Sequence, residues 1–216
     1  MNNSQLQDFF NQVAPIRLKE PLAEVLGAFK SREPVLEYSF TDLVKMAGHA
    51  CPTMAGAYLC CQTALEKLYG EEIPVRGEIS VTVHGDMDEG VYGVIGQAIG
   101  YLTGAAPATG FRGLGHRFKR KDLLQFSAEK IDPEGMCFLF SRLDRKDSVL
   151  VTFYPQKVPF TAEKRRRLSE LLEKVIWDAA REQETQEFQQ LWTERLVTML
   201  LDKKDIDHWL TIKQRS

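Results

Sequence analysis

A chain of 216 residues, 44% hydrophobic and 27% charged with a formal net charge of −2, has length for one sizeable core, or one core with an appendage. That charge balance gives no bulk attraction to nucleic acid or to an anionic membrane. The start MNNSQLQDFFNQVAPIRLKEP lacks the basic and apolar regions of a secretion signal, and no run reaches a membrane span, so a cytoplasmic protein is expected.

Residues 4 to 13 and 18 to 30 carry apolar positions at helical spacing, Leu22, Val25, Leu26 and Phe29 among them, and predict an N-terminal helical pair ended by Pro34. Val35 to Phe40 reads as a short strand. Thr41 is placed to cap a helix over 42 to 47 that stops at Gly48. Pro52 to Tyr69 reads as a helix with Met54, Tyr58, Cys61, Leu65 and Leu68 on one face, closed by Gly70. Glu78 to His84 alternates and is rich in β-branched residues, which predicts a half-buried strand running into the acidic turn Gly85 to Gly90.

Glycines 93, 96, 100 and 104 form one bare stripe if 91 to 103 is a helix, so something must approach that face closely. The ordinary reading is another helix, with Ala55-Gly56-Ala57 as its contact. The same low bulk admits a flat ligand. Strands are expected at 123 to 127, 136 to 143 and 148 to 154, the last two joined by a turn at Asp144 to Asp147. From Thr161 onward the pattern is helical: a stripe through Leu168, Leu171, Leu172, Val175 and Ile176, a second through Phe188, Leu191, Trp192 and Leu196, and a short terminal helix near 206 to 212. The expected architecture is α+β, a mixed or antiparallel sheet packed with helices. Residues 1–160 would form the core and 161–216 a helical extension for dimerisation or docking.

The chemistry concentrates at Gly48-His49-Ala50-Cys51-Pro52. Pro52 suits the first position of a helix, which puts Cys51 at its N-cap, where free N–H groups and the helix dipole favour a thiolate, a nucleophile or a metal ligand. His49, two residues earlier, can face the same point and supply half of a tetrahedral site. His84, Asp86, Asp88 and Glu89 at the strand end, and His116 after the glycine-rich loop, are the candidates to complete it. A mixed Cys, His and carboxylate set suits zinc first, another divalent transition metal second. The ordinary alternative for the His-x-Cys pair is packing or capping.

Among the other cysteines, Cys60 and Cys61 diverge on one helix and Cys61 reads as core, while Cys137 reads as a small buried hydrophobe in a strand. None of the four thiols lies in a Cys-x-x-Cys pair, so neither a disulfide framework nor a zinc ribbon is indicated. His208 is expected at the surface. Arg112, His116, Arg117, Lys119, Arg120 and Lys121 form a basic cluster suited to a small anionic ligand, with a solvated charged edge as the alternative. Lys164 to Arg167, at the start of a helix, reads as solvated.

The stretch GHACPTMAGAYL, then a helix, a strand with a polar end, a glycine-rich helix ending in Leu-Thr-Gly and the FRGLGH loop, resembles the FmdE family, which takes its name from a component of formylmethanofuran dehydrogenase, over about residues 40 to 155. The resemblance implies an α+β core, a homodimer, and a metal or active site at His49 and Cys51. Where the family has a cysteine before the glycine-rich helix, this chain has Glu89, which can ligate zinc but cannot enter dithiol chemistry. The C-terminal zinc finger of some relatives has no counterpart here. Three functions follow as expectations. The first is a metal-binding protein, enzyme or accessory factor of one-carbon or molybdenum-related metabolism, with His49, Cys51, His84 and Glu89 as ligands and Arg112 and His116 as an anion subsite. The second is a metal-free thiol enzyme using Cys51, with a histidine as its base. The third is a non-catalytic assembly component of a larger complex.

Overall fold

The computed structural model of the chain describes residues 6–215 and has an α+β fold built on one mixed sheet. The N-terminal helical pair does not form. Residues 8–12 make a single 3₁₀ turn, and residues 4 and 5 lie outside the described residues. Strand β1 (Ile16–Lys19) follows, with Ile16 and Leu18 buried and Arg17 exposed, and it pairs antiparallel with β2 (Val35–Tyr38). Only helix α1 (Pro21–Val25) remains of the expected second helix. Pro21 sets its first position and Gly27, at φ +68°, ends the turn, so Val25, Leu26 and Phe29 stay exposed while Leu22 is buried.

Helix α2 (Phe40–Ala47) starts two residues before the expected first position, Asp42. Ser39, not Thr41, caps it: the Asp42 carboxylate accepts from both the backbone N–H and the hydroxyl of Ser39, each at 2.8 Å. Gly48 ends it in the left-handed region at φ +75°. Helix α3 (Pro52–Tyr69) is the central element, buried over most of its length, with Cys51 as N-cap. Its last turn is tied down by Arg142, which stacks on Tyr69 with the guanidinium 4.0 Å from the ring centre and donates to the Leu68 carbonyl, Glu72 and Asp144.

The main sheet has the order β6-β3-β7-β8-β9: β3 (Ile79–His84), β6 (Leu124–Ser127), β7 (Met136–Arg142), β8 (Ser148–Phe153) and β9 (Leu210–Arg215). Only β3 and β6 run parallel, which fits a long crossover between them; the neighbouring pairs are antiparallel. That crossover contains α4 (Tyr92–Thr103) and the small hairpin β4 (Gly113–Leu114) and β5 (Phe118–Lys119). On one face of the sheet Val81, Val83, Leu124, Phe126, Phe138, Phe140, Val149, Val151 and Phe153 fall in register, and α3 and α4 pack there.

The glycine stripe of α4 does meet close neighbours, not from a helix but from strand side chains at Gly96 and Gly100 and from the Met87 and Ala105 carbonyls at Gly93 and Gly100. A Cβ at Gly96 would lie 2.5 Å from the Phe126 ring and one at Gly100 3.5 Å from a Leu124 methyl, and Gly56 of α3 receives the Phe153 ring in the same way. Residues 161–216 begin as the expected helical extension and end in a strand of the main sheet. Helices α5 (Ala162–Ile176) and α6 (Glu182–Val197) form a hairpin, Lys164 and Arg167 pairing across it with Glu194 and Glu187 and so not merely solvated. The chain then passes through a π turn and the short helix α7 (Ile206–Trp209) into β9, where a terminal helix was expected. Trp209 is fully buried and β9 is the edge strand beside β8.

Candidate functional site

The bend between α2 and α3 has a mechanical cause. Gly48 turns the chain through a conformation that costs an L-residue about 1–2 kcal/mol, and Pro52 restarts the helix without needing a hydrogen-bond partner. Helix α6 pins the bend from outside, since Trp192 Nε1 donates to the Ala50 carbonyl at 2.8 Å. His49 is exposed, and its Nδ1 lies 3.0 Å from the Ala47 carbonyl. A carbonyl only accepts, so that contact places the ring proton on Nδ1 and leaves the Nε2 lone pair bare, the arrangement a metal-ligating histidine needs. Cys51 is half-buried, at the helix N-cap, with no hydrogen bond from its side chain to the helix end.

The other three thiols are buried. Burial pushes the Cys60, Cys61 and Cys137 thiols up, and the Thr152 hydroxyl, 3.4 Å from Cys137 Sγ, partly offsets the effect there. Cys61 and Cys137 are thus buried as expected, and Cys60 is buried with them. His208 is exposed, also as expected.

The expected completing ligands do not join His49 and Cys51 within one chain. Among the described residues no three His, Cys, Asp or Glu side chains lie close enough to hold one ion. His84 is separated by strand parity: Val81 and Val83 lie on the helix-covered face of the sheet, so His84 faces the opposite side, with Cys137 as its cross-strand neighbour. There its Nδ1 meets the Glu129 carbonyl at 3.1 Å, and its buried Nε2 has no partner. Glu89 is exposed and forms an ion pair with Lys130, and Asp86 and Asp88 are exposed beside it. His116 is exposed at the turn of the β4–β5 hairpin, and Arg112 is exposed just before it.

Of the basic cluster, Arg120 alone turns inward. It is 5% exposed and donates to Glu20, itself 5% exposed, which also accepts from Arg76 at 3.0 Å and from the Leu22 backbone at 3.2 Å. Arg120 and Arg76 line a cavity of about 870 Å³ along the glycine face of α4, which neither Arg112 nor His116 reaches. The composition of the 112–121 segment left an anion site and a solvated edge both open, and Arg112, His116, Arg117 and Lys119 are exposed. The pairing of Arg120 with Glu20, 100 residues away, had no local signal.

In comparisons with known proteins, no family model and no curated protein matches the chain. No helix among the described residues is long and apolar enough to cross a membrane.

Proposed function

We propose that the chain is a metal-binding protein of the FmdE kind, with His49 Nε2 and Cys51 Sγ as two ligands of a zinc ion and the corresponding pair of a second copy as the other two. The observation that carries this reading is the Nδ1 contact of His49 with the Ala47 carbonyl, which presents Nε2 as an acceptor two residues from a thiol that makes no capping bond at its helix start. Zinc in structural sites is four-coordinate and takes nitrogen and sulfur donors, so two such pairs satisfy it without a third donor from either chain. Four free cysteines suit a reducing, cytoplasmic setting. If a ligand position is left to solvent, the ion would activate water or polarise a carbonyl.

The test is elemental analysis with mass measurement in solution. The expected result is one zinc per two chains in the native protein, and loss of metal and of the dimer in His49→Ala and Cys51→Ala with unchanged far-UV dichroism. Equal metal content in all three proteins refutes the assignment, and one zinc per chain would place the remaining donors outside a second copy. A metal-free reading, with Cys51 as a nucleophile, is favoured by its being the one thiol among the described residues that is not buried.

A further inference from the structure

The α4 cavity is independent of the metal reading, since neither His49 nor Cys51 lines it. Its charge is unbalanced. Two guanidiniums, Arg76 and Arg120, share one carboxylate, Glu20. Each Arg76 nitrogen has an acceptor: Nη1 donates to Glu20, Nε to the Leu102 carbonyl at 3.1 Å and Nη2 to the Tyr101 carbonyl at 2.8 Å. Arg120 has a protein acceptor for Nη2 alone among the described residues, although the residue is 5% exposed. The remaining donors of Arg120 are not among the fully buried side-chain atoms left without a partner, and Arg120 lines the cavity, so they are open to an acceptor that enters from it.

The rest of the lining sets the shape and character of the occupant. Val94, Gln97 and Tyr101 of α4 and the ring of Phe111 are among its walls, the ring 5.7 Å from the Arg120 guanidinium. Ligand sites have volumes of about 300–1,000 Å³, mostly apolar walls and a few fixed polar groups, which this cavity matches. One excess positive charge balances a monoanion, and a guanidinium fork matches a carboxylate, whereas a phosphate dianion would bring uncompensated charge into apolar walls.

We propose that this cavity binds an aromatic carboxylate, the acid group on the free edge of Arg120 and the apolar body against Phe111 and the Val94 and Gln97 wall of α4. Calorimetry with 2-naphthoate, and with the neutral 2-naphthamide as its control, tests it on the full chain. The acid is expected to bind one to one and at least about tenfold more tightly than the amide, the value of one charged hydrogen-bonded contact. Gln97→Trp, at an exposed position of α4 on the cavity wall, should weaken the acid at least about tenfold without touching the Glu20 cluster. Arg120→Gln should abolish the preference for the acid; Gln97→Trp keeps the test decisive if that variant fails to fold. No binding of the acid, equal affinity for acid and amide, or undiminished binding in Gln97→Trp would each overturn the assignment.

Discussion

Cys51 differs from the other three cysteines by position alone, and that difference can be read directly. It caps α3 half-buried, while Cys60, Cys61 and Cys137 are buried and their thiols pushed up by desolvation. In native protein one thiol per chain should react with iodoacetamide, and Cys51→Ala should abolish that reaction, with the other three appearing only on unfolding. Zinc should slow the labelling of Cys51 if the proposed site is correct, because a metal-bound thiolate is no longer free to attack. Labelling at the same rate with and without zinc would instead support the metal-free reading. Mass spectrometry of the labelled peptides reads both outcomes. At this scale the bend was legible, because Gly48, Cys51 and Pro52 act through backbone rules that need no distant partner. The fate of His84 was not: its strand was evident, but the face on which α3 would pack depends on Phe153 of β8, nearly 70 residues later.

At the scale of elements, short-range periodicity placed α3, α4, β3, β7 and β8 close to their observed bounds, and failed where prolines and a glycine cut a helical pattern short. The segment 16–25 is such a case, since β1 gains a partner in β2 that a free helix would lack. The α5–α6 hairpin shows the opposite balance, with an apolar stripe as expected and a set of cross-helix ion pairs that spacing within one helix could not reveal. Glu184 accepts from Lys174 and from the Arg181 backbone and side chain, and these bonds, the Lys174 bond above all, hold its carboxyl near 2 against an ordinary 4.5. Glu187 is lowered likewise by Arg167. A depressed carboxyl stabilises the fold at pH above its ordinary value and loses that contribution as pH falls toward its folded value. The hairpin should therefore loosen selectively between about pH 4.5 and pH 2, seen as faster amide exchange in 167–187 than in α3. Glu184→Gln should flatten much of that dependence. Equal acid sensitivity in the variant would mean the pairs contribute nothing there.

For the whole molecule, the decisive question is whether residues 161–216 are an appendage or part of the core. Composition favours the first reading, since the segment is helical by pattern and rich in charge. The sheet favours the second: β9 completes β8, and Leu196, Met199, Leu200, Trp209 and Leu210 are buried in the same cluster as Tyr58 and Phe153. A closing strand some 57 residues after its partner is invisible to any local pattern, which is why its amphipathic sequence read as a helix. Trp209 distinguishes the two cases. It is fully buried, packs edge-on to Phe153 with ring centres 6.3 Å apart, and donates to the Lys204 carbonyl at 2.9 Å. Trp209→Ala should cost about 3–5 kcal/mol through the cavity it leaves. If the segment is integral, urea unfolding followed by far-UV dichroism and by amide exchange in α3 should show one shared transition, moved to lower urea in the variant. A separable tail would unfold first and alone, with the exchange of α3 and β3 unchanged, and the α3 bend bearing His49 and Cys51 would then not depend on the end of the chain. The bond from Trp192 to the Ala50 carbonyl predicts that it does depend on it: loosening the tail should also lower zinc retention at that bend.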